Sequence, residues 1–340
     1  MKIKSNRTFI IAEIGPNHNG SFKRAIKMIK KLAKIDVDAI KFQLGDPEEI
    51  YSDDAFFANY QKKISKSLSI KKLSKKNQLS RFEHLKLSKL CKKEDLMYLC
   101  SAFDLESLKF LDRIINVPLF KIASGEAFAL DAIDYVSKRN KPILISTGMT
   151  TFQELKIIIK KLNKNSKKKI TILHCVSSYP AKINDLNLNI MNELEKRFKC
   201  NIGYSDHSLG DEACLAAVAK GAKVIEKHVT LSKKLSGPDH RSSSTISEFK
   251  NLVLKIRKLE QMLGKDKKIF SEKELNVKNS SRKSIVSNRL IKKNSKICLK
   301  DITFKRPGTG ISPLNLNKVL RKVTKVEIPQ NRLIKKSHLK

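Results

Sequence analysis

Three pairs of polar residues stand two positions apart at the ends of apolar runs: Lys41 and Gln43, Ser205 and His207, and Glu226 and His228. In an extended strand, residues i and i+2 share a face, so each pair aims both side chains the same way. Other polar residues end similar runs: Glu13; Ser101; Lys121, Ser124 and Glu126; Ser146; His174, Ser177 and Tyr179. Their chemistry sorts into distinct tasks. Lys41, Lys121 and the hydroxyls of Ser101, Ser124, Ser146 and Ser205 can donate to a phosphate or carboxylate. His207 and His228, completed by water and substrate oxygens, suit an open divalent-metal site that polarises a carbonyl. Glu13, Glu126 and Asp239 can hold hydroxyl groups or move protons. Asn17 and His18, in Gly15-Pro-Asn-His-Asn-Gly20, make a polar turn for which ordinary turn chemistry is an equally good account. Taken singly, a strand-end histidine is more often a hydrogen-bonded core residue, and a strand lysine snorkels to solvent. Two histidines, two lysines and three carboxylates on one rim would be costly to bury without charged ligands and a metal.

The elements that must position these residues are eight short apolar runs: Thr8–Ile14, Ala39–Gln43, Met97–Ser101, Pro118–Ile122, Pro142–Ser146, Ile170–Cys175, Asn201–Tyr204 and Lys223–His228. Amphipathic segments separate them. Ala25, Met28, Ile29 and Leu32 recur at helical spacing after a cap at Ser21, and Thr151 to Glu154 is a capping-box pattern opening Leu155 to Leu162. Eight strand–helix repeats predict an α/β protein whose parallel sheet closes into a (β/α)8 TIM barrel, with functional groups gathered where the strands end. A doubly wound open sheet is the alternative, but no G-x-G-x-x-G turn is present. The long interval from Tyr51 to Tyr60 and through the lysine-rich Lys62 to Lys76 predicts a helical insertion over one barrel end. The barrel then spans 1–263, ending with a helix over Ile246–Leu263. A polar, turn-rich linker follows over 264–281. Residues 282–340 make a small mixed α+β domain with strands at Ser284–Val286, Ile302–Phe304 and Val323–Ile328.

The chain has 340 residues and a formal charge of +38. Only 13 of its 71 basic residues are arginine, and the lysines are scattered among Ile and Asn throughout. That pattern reads as compositional drift, since an RNA-binding surface interleaves Arg with aromatic residues. No specific nucleic-acid partner is expected. The last domain, with 17 Lys and Arg against 2 Asp and Glu from Ser281 onward, is the best candidate for an anion-facing or partner-facing surface. Six cysteines show no C-x-x-C pair, which suits reduced thiols in a cytoplasmic protein. No apolar stretch reaches the ~20 residues of a membrane helix, and no apolar segment follows the basic start, so neither a membrane span nor a secretory signal is expected.

The sequence resembles the N-acetylneuraminate (sialic acid) synthase family. Phe9-Ile-Ile-Ala-Glu-Ile-Gly-Pro-Asn-His-Asn-Gly20, Lys41-Phe-Gln43, Lys121-Ile-Ala-Ser-Gly-Glu126, Ser146-Thr-Gly-Met149, His174-Cys-Val-Ser-Ser-Tyr-Pro180, Tyr204-Ser-Asp-His207, Glu226-Lys-His228 and Gly237-Pro-Asp239 look like its motifs, in its order. Arg282-Lys-Ser-Ile285 and Lys305-Arg-Pro-Gly-Thr-Gly310 look like its C-terminal antifreeze-like domain. Departures exist, among them Ser177 where some relatives have Asn. Ser101-Ala-Phe replaces a frequent Thr-Pro-Phe, and the last domain lacks glycines expected around Lys293–Lys296 and near Leu320.

The resemblance implies a transferase of carbohydrate and polysaccharide biosynthesis. It would condense phosphoenolpyruvate with an open-chain acetamido-mannose sugar, giving a sialic acid-type product and phosphate by C–O cleavage. By similarity, His207 and His228 bind a divalent metal, usually manganese, with magnesium or cobalt as alternatives. Lys41, Ser101, Lys121, Ser124, Ser146, Ser177, Tyr179 and Ser205 match phosphoenolpyruvate contacts. Gln43, Glu226 and Asp239 match groups around the sugar, and Glu13 and Glu126 join the two histidines as catalytic residues. The segment Leu44–Tyr51 would read the sugar's substituents, which leaves N-acetylmannosamine and the diacetamido-trideoxy sugars of legionaminic and pseudaminic acid as substrates. The family also implies a domain-swapped homodimer in which Arg306 reaches the acetamido group of the sugar bound by the partner subunit.

Two other functions compete with this one. A Schiff-base aldolase would use Lys41 or Lys121 as its amine, which the paired histidines argue against. A basic polyanion-binding protein would use the barrel as a scaffold only, and its phosphate-driven binding would fall steeply with salt.

Overall fold

Eight parallel strands close on themselves, each short enough to be buried on both faces. In the computed structural model, which describes residues 7–58, 69–164 and 169–340, they are β1 (Phe9–Glu13), β2 (Ala39–Leu44), β3 (Met97–Ala102), β4 (Phe120–Ile122), β5 (Ile143–Ser146), β6 (Ile170–Cys175), β7 (Asn201–Asp206) and β8 (Val224–Thr230). Each pairs with the next, and β1 pairs with β8 to complete the ring. The inward side chains change character along the strands. Near their starts Phe9, Ile11, Ala39, Leu99, Leu119, Leu144, Leu173 and Val224 fill the barrel as a separate apolar cluster. One layer further on stand Glu13, Lys41, Ser101, Lys121, Ser146, Ser205 and Glu226, all buried. Gly203 completes the apolar layer because a Cβ there would lie 2.6 Å from the Val224 carbonyl oxygen.

Helices cover the outside with the alternate strand residues packed beneath them. The helix Phe22–Leu32 buries Ala25, Met28, Ile29 and Leu32, and the Ser21 side chain accepts from the Arg24 N–H as its cap. Thr151 and Glu154 form the expected capping box of the helix Phe152–Leu162, and Thr245 and Glu248 form another for Ile246–Leu263. Such caps satisfy backbone N–H groups that the first turn leaves free. In the long β2–β3 interval, short helices cover Pro47–Ile50 and Ile70–Asn77. The remainder of the expected insertion, residues 59–68, lies outside the described residues.

The chain divides into two compact units, Met1–Gly264 and Lys265–Lys340. The expected linker is corrected by a helix over Glu272–Ser281, capped by Ser271. This helix buries no residue, so it has no apolar periodicity to announce it; its signals are only the cap and Glu272 and Glu274 in the first turn. Strands Ser284–Ser287 and Ile302–Lys305 pair antiparallel around a core of Ile285, Ile291, Ile297, Ile302, Val319, Ile328 and Ile334. The third expected strand, Val323–Ile328, is not continuous: Val323 and Ile328 make only isolated bridges, to Lys296 and Ile291. The missing glycines are replaced by residues that adopt left-handed backbone, Asn294 at φ 61° and Arg321 at φ 64°. Asparagine tolerates that region well, whereas for arginine it costs about 1 kcal/mol.

Candidate functional site

A cavity of about 440 Å³ opens where the strands end. Lys41, Gln43, Ser101, Lys121, Ser124, Ser146, Ser177, Tyr179, Ser205, His207, Glu226, His228 and Asp239 all line it, brought together from seven strand ends or the loops after them. Within it Lys121 Nζ donates to Ser146 Oγ at 2.8 Å, and Lys41 Nζ to Ser101 Oγ at 3.4 Å. Between the two ammonium groups sits Glu226, whose Oε1 lies 3.6 Å from Lys41 Nζ and 3.8 Å from Lys121 Nζ and accepts from Ser205 Oγ at 3.2 Å. Glu226 Oε2 has no hydrogen-bond partner among the described residues. Burial opposes the Glu226 charge, yet the attraction of Lys121 and Lys41 holds its carboxyl below the ordinary range. Burial also drives Lys41 down, to about 8, against the pull of Glu226. Two buried ammonium groups beside hydroxyl donors form a cradle in which an incoming phosphate or carboxylate gains charge-assisted hydrogen bonds, while Glu226 Oε2, an acceptor, is left for a donor such as a hydroxyl.

Glu13 lies behind the cavity wall, fully buried, ion-paired with Lys41, and its Oε1 accepts from the Gly15 N–H at 2.7 Å. From there it sets the position of Lys41. Gln43 Nε2 donates to the Gly15 carbonyl at 3.0 Å, which ties the β1 and β2 ends together. Gly148 lets two loops meet: its N–H donates to Ser124 Oγ at 3.1 Å, and a Cβ on it would lie 2.9 Å from that oxygen. Glu126 stands on the turn Gly125–Phe128 within electrostatic range of Tyr51. Burial, reinforced by Asp104 and Asp131, pushes its carboxyl up to about 7.

The two histidines face each other, ring centroids 5.4 Å apart, with the Tyr179 ring 4.1 Å from His207 and edge-on to His228 at 5.9 Å. His207 Nδ1 donates to the Val176 carbonyl at 2.8 Å, so in the neutral ring Nε2 keeps its lone pair. His228 is buried, its Nδ1 lacks a hydrogen-bond partner, and burial with the nearby His207 and Lys41 keeps it uncharged. Asp239 Oδ2 lies 3.6 Å from that nitrogen, and burial raises the Asp239 carboxyl to about 6. Burial opposes a charge on His207, yet Cys175, the Val176 carbonyl and Asp239 together raise it above the ordinary histidine value, so by itself the pair is one neutral ring and one that readily holds a proton. With that proton released, the two imidazoles fit a divalent metal. Among the described residues no cluster of three metal-binding side chains exists, so water or substrate would complete the shell.

Two of the polar residues singled out from the sequence, His174 and Asn17, do other work. His174 faces the helix layer, where Nε2 donates to the Leu186 carbonyl at 2.7 Å. Asn17 is a tie, with Nδ2 donating to the Val229 carbonyl at 2.9 Å and to Ser243 Oγ at 2.8 Å. His18 does line the cavity, stacks obliquely on Phe42, and is held neutral by burial and Arg24, which lower it to about 4. In the second unit, Arg306 is exposed, and the Pro-Gly turn beside it is held by Ser284, which donates to the Pro307 carbonyl at 2.6 Å and accepts from the Gly310 N–H at 2.9 Å.

Among the lining residues that the sequence did not single out are those of the β2–β3 wall, Phe57, Ile70, Leu73, Asn77 and Gln78, and Cys175, whose Sγ lies 3.7 Å from His207 Nδ1. Ile70, Leu73 and Asn77 share a helix face by spacing. That helix buries none of its residues, so the pattern resembles a surface helix and gives no hint that the face looks into a cavity.

Residues 28–268 match the NeuB family and residues 282–340 match the SAF domain, the antifreeze-like module. The chain is 39% identical over 332 residues to an N,N'-diacetyllegionaminic acid synthase of Campylobacter jejuni, covering 97% of this chain and 99% of that one. It is 37% identical over 317 residues to the N,N'-diacetyllegionaminic acid synthase of Legionella pneumophila, covering 92% and 89%. Among solved structures, the N-acetylneuraminic acid synthetase of Leptospira borgpetersenii superposes with a TM-score of 0.71 at 31% identity, over 80% of this chain and 90% of that one. With a closed barrel, a polar cavity at its strand ends and relatives matching along nearly its whole length, the chain belongs to the NeuB family.

Proposed function

We propose that this protein condenses phosphoenolpyruvate with the open-chain aldehyde of an acetamido-mannose-type sugar, releasing phosphate. The observation that carries this reading is a cavity in which the Lys41 and Lys121 cradle accompanies the facing pair His207 and His228. Lys41, Lys121 and the hydroxyls of Ser101, Ser124, Ser146 and Ser205 bind the phosphate and carboxylate. Carbon 3 of phosphoenolpyruvate attacks the aldehyde carbon, whose oxygen takes a proton and becomes a hydroxyl. Water adds to the cation at carbon 2 and loses a proton. The C–O bond to phosphate then breaks, so the bridging oxygen leaves in phosphate and carbon 2 becomes a ketone. Asp239, beside His228 and raised by burial to about 6, would hold or move a proton at the aldehyde oxygen. A divalent metal held by His207 and His228, manganese or in its place magnesium or cobalt, would polarise the aldehyde.

Within this class we favour a deoxy, diacetamido sugar over N-acetylmannosamine. Phe57, Ile70 and Leu73 give the β2–β3 wall an apolar surface that suits a methyl group better than a hydroxymethyl, and the two legionaminic acid synthases are consistent with it. The test is phosphate release by purified protein with phosphoenolpyruvate and a panel of acetamido sugars. Release should require both substrates, and release with neither class of sugar overturns the proposal.

We also propose that the exposed Arg306 acts on the sugar bound by a second copy of the chain. Mixing an Arg306→Ala protein with a His207→Ala protein, both nearly inactive alone, should then recover about a quarter of wild-type activity from random mixed dimers. No recovery after verified subunit exchange excludes it.

A further inference from the structure

Between the cavity-facing pairs of β7 and β8 lies one pair that points the other way. Strand register sets Ser205 against Glu226 and Asp206 against Lys227. Alternation then sends Ser205, His207, Glu226 and His228 to the cavity and Asp206 and Lys227 to the helix layer. There the two side chains form an ion pair, 0% and 2% exposed. A buried ion pair adds little net stability, because desolvating two charges offsets their attraction, so its presence calls for another explanation.

Its hydrogen bonds supply one. Asp206 Oδ1 accepts from Tyr204 Oη at 3.1 Å and from the N–H and Oγ of Ser208 at 2.9 and 2.7 Å, while Oδ2 accepts from Cys214 Sγ at 3.2 Å. Lys227 Nζ also donates to the Ser208 carbonyl at 2.8 Å. Ser208 directly follows His207, whose own carbonyl accepts from the Ala181 N–H at 3.0 Å. The backbone on either side of His207 is therefore gripped by a charge on β7 and a charge on β8, neither of which lines the cavity.

We propose that the Asp206–Lys227 pair is a positioning device: by locking the end of β7 to the end of β8 from behind, it sets the separation and pitch of His207 and His228. The inference rests on the reading of that cavity as the active site. Sheet hydrogen bonds alone leave a strand end free to splay. The ion pair removes that freedom where the two rings must share one ligand.

The test compares the wild type with Asp206→Asn, with the double variant Asp206→Asn/Lys227→Met, and with Asp112→Asn. Asp112 is a control of similar chemistry, since it accepts from Tyr135 and pairs with Arg139 and Lys141 at the opposite end of the barrel. Four quantities are measured: thermal midpoint, kcat with KM for phosphoenolpyruvate, Mn2+ affinity by electron paramagnetic resonance, and amide exchange over residues 204–208. Asp206→Asn strands a buried ammonium and loses stability, and the double variant regains it. In both, kcat should fall about 100-fold, as for an ångström-scale misplacement, while KM for phosphoenolpyruvate changes little. Mn2+ affinity should weaken at least about tenfold, and exchange at 204–208 should accelerate. Asp112→Asn should lose stability only. A double variant with wild-type kcat, Mn2+ affinity and exchange overturns the proposal. If the wild type itself neither releases phosphate nor binds Mn2+, the active-site reading fails instead, and the exchange comparison still decides whether the pair locks the two strands.

Discussion

Where the barrel strands begin, Arg257 donates to the Thr8 carbonyl at 2.8 Å and to Asp36, Asp38 and Glu260 at 3.0 to 3.2 Å, and Asp112 is surrounded by Tyr135, Arg139 and Lys141. Those charges are partly wet and fully partnered, and they ring a plug of apolar side chains. Where the strands finish, Lys41, Lys121, Glu13 and Glu226 are buried, and Glu226 Oε2, His228 Nδ1 and His18 Nε2 lack hydrogen-bond partners among the described residues. Apart from Arg7 Nε, which is buried at the first end without a partner, similar residue types thus close one end and leave the other end incomplete. Polar groups that the fold buries without satisfying are costly, and they persist where a ligand supplies what the protein withholds. The barrel carries its stability at one end and its chemistry at the other.

The largest effect that would test this division is at the strand ends. His207→Ala or His228→Ala should lower phosphate release at least about a thousandfold with the thermal midpoint nearly unchanged, since each removes a group whose natural partner is a ligand. A chelator should have the same effect on the wild type, reversed by manganese. Retained activity in either case would remove the metal from the mechanism.

The converse experiment is at the other end. Leu144, 3% exposed in the apolar plug, should cost about 3 kcal/mol of stability when changed to Ala, by lost transfer energy and a residual cavity, with kcat measured below the new melting range unaltered. A large fall in kcat would show that the two ends are coupled. The pH dependence gives a subtler measure. The folded protein raises Glu126 from 4.5 to about 7, so its protonated form stabilises the fold at low pH. That contribution is complete below the unfolded value and is lost as pH rises through about 7. Glu126→Gln should therefore match the wild type in thermal midpoint near about pH 5 and exceed it near about pH 8. A constant offset between the two proteins would refute the assignment. The smallest expected effect is at a helix cap: Thr151→Ala should cost about 1 kcal/mol and leave phosphate release unchanged.

The eight strands were legible because parallel strands buried on both faces must be short and apolar, and the capped helices between them repeat at 3.6 residues. The polar residues at the strand ends were legible too, since alternation assigns i and i+2 to one face whatever the rest of the chain does. Alternation also assigns Asp206 and Lys227 to the opposite face, but nothing in a linear pattern says that they meet there. The helix Glu272–Ser281 and the cavity-facing residues Ile70, Leu73 and Asn77 were illegible for a related reason: neither helix buries a residue against its own unit, and burial is what writes a period into a sequence.

His174 shows where local pattern ends. It ends a strand as the mouth residues do, but it stands between the inward Leu173 and Cys175, so alternation turns it to the helix layer. Its partner there, the Leu186 carbonyl 12 residues away, is brought within 2.7 Å only by the folded chain. Composition and periodicity dictate which residues can form strands, helices and caps, because those depend on neighbours a few positions apart. Which charges pair, which stay unsatisfied, and how far His207 stands from His228 depend on ring closure between β1 and β8, across more than 200 residues of chain, and on the low-dielectric interior that closure creates.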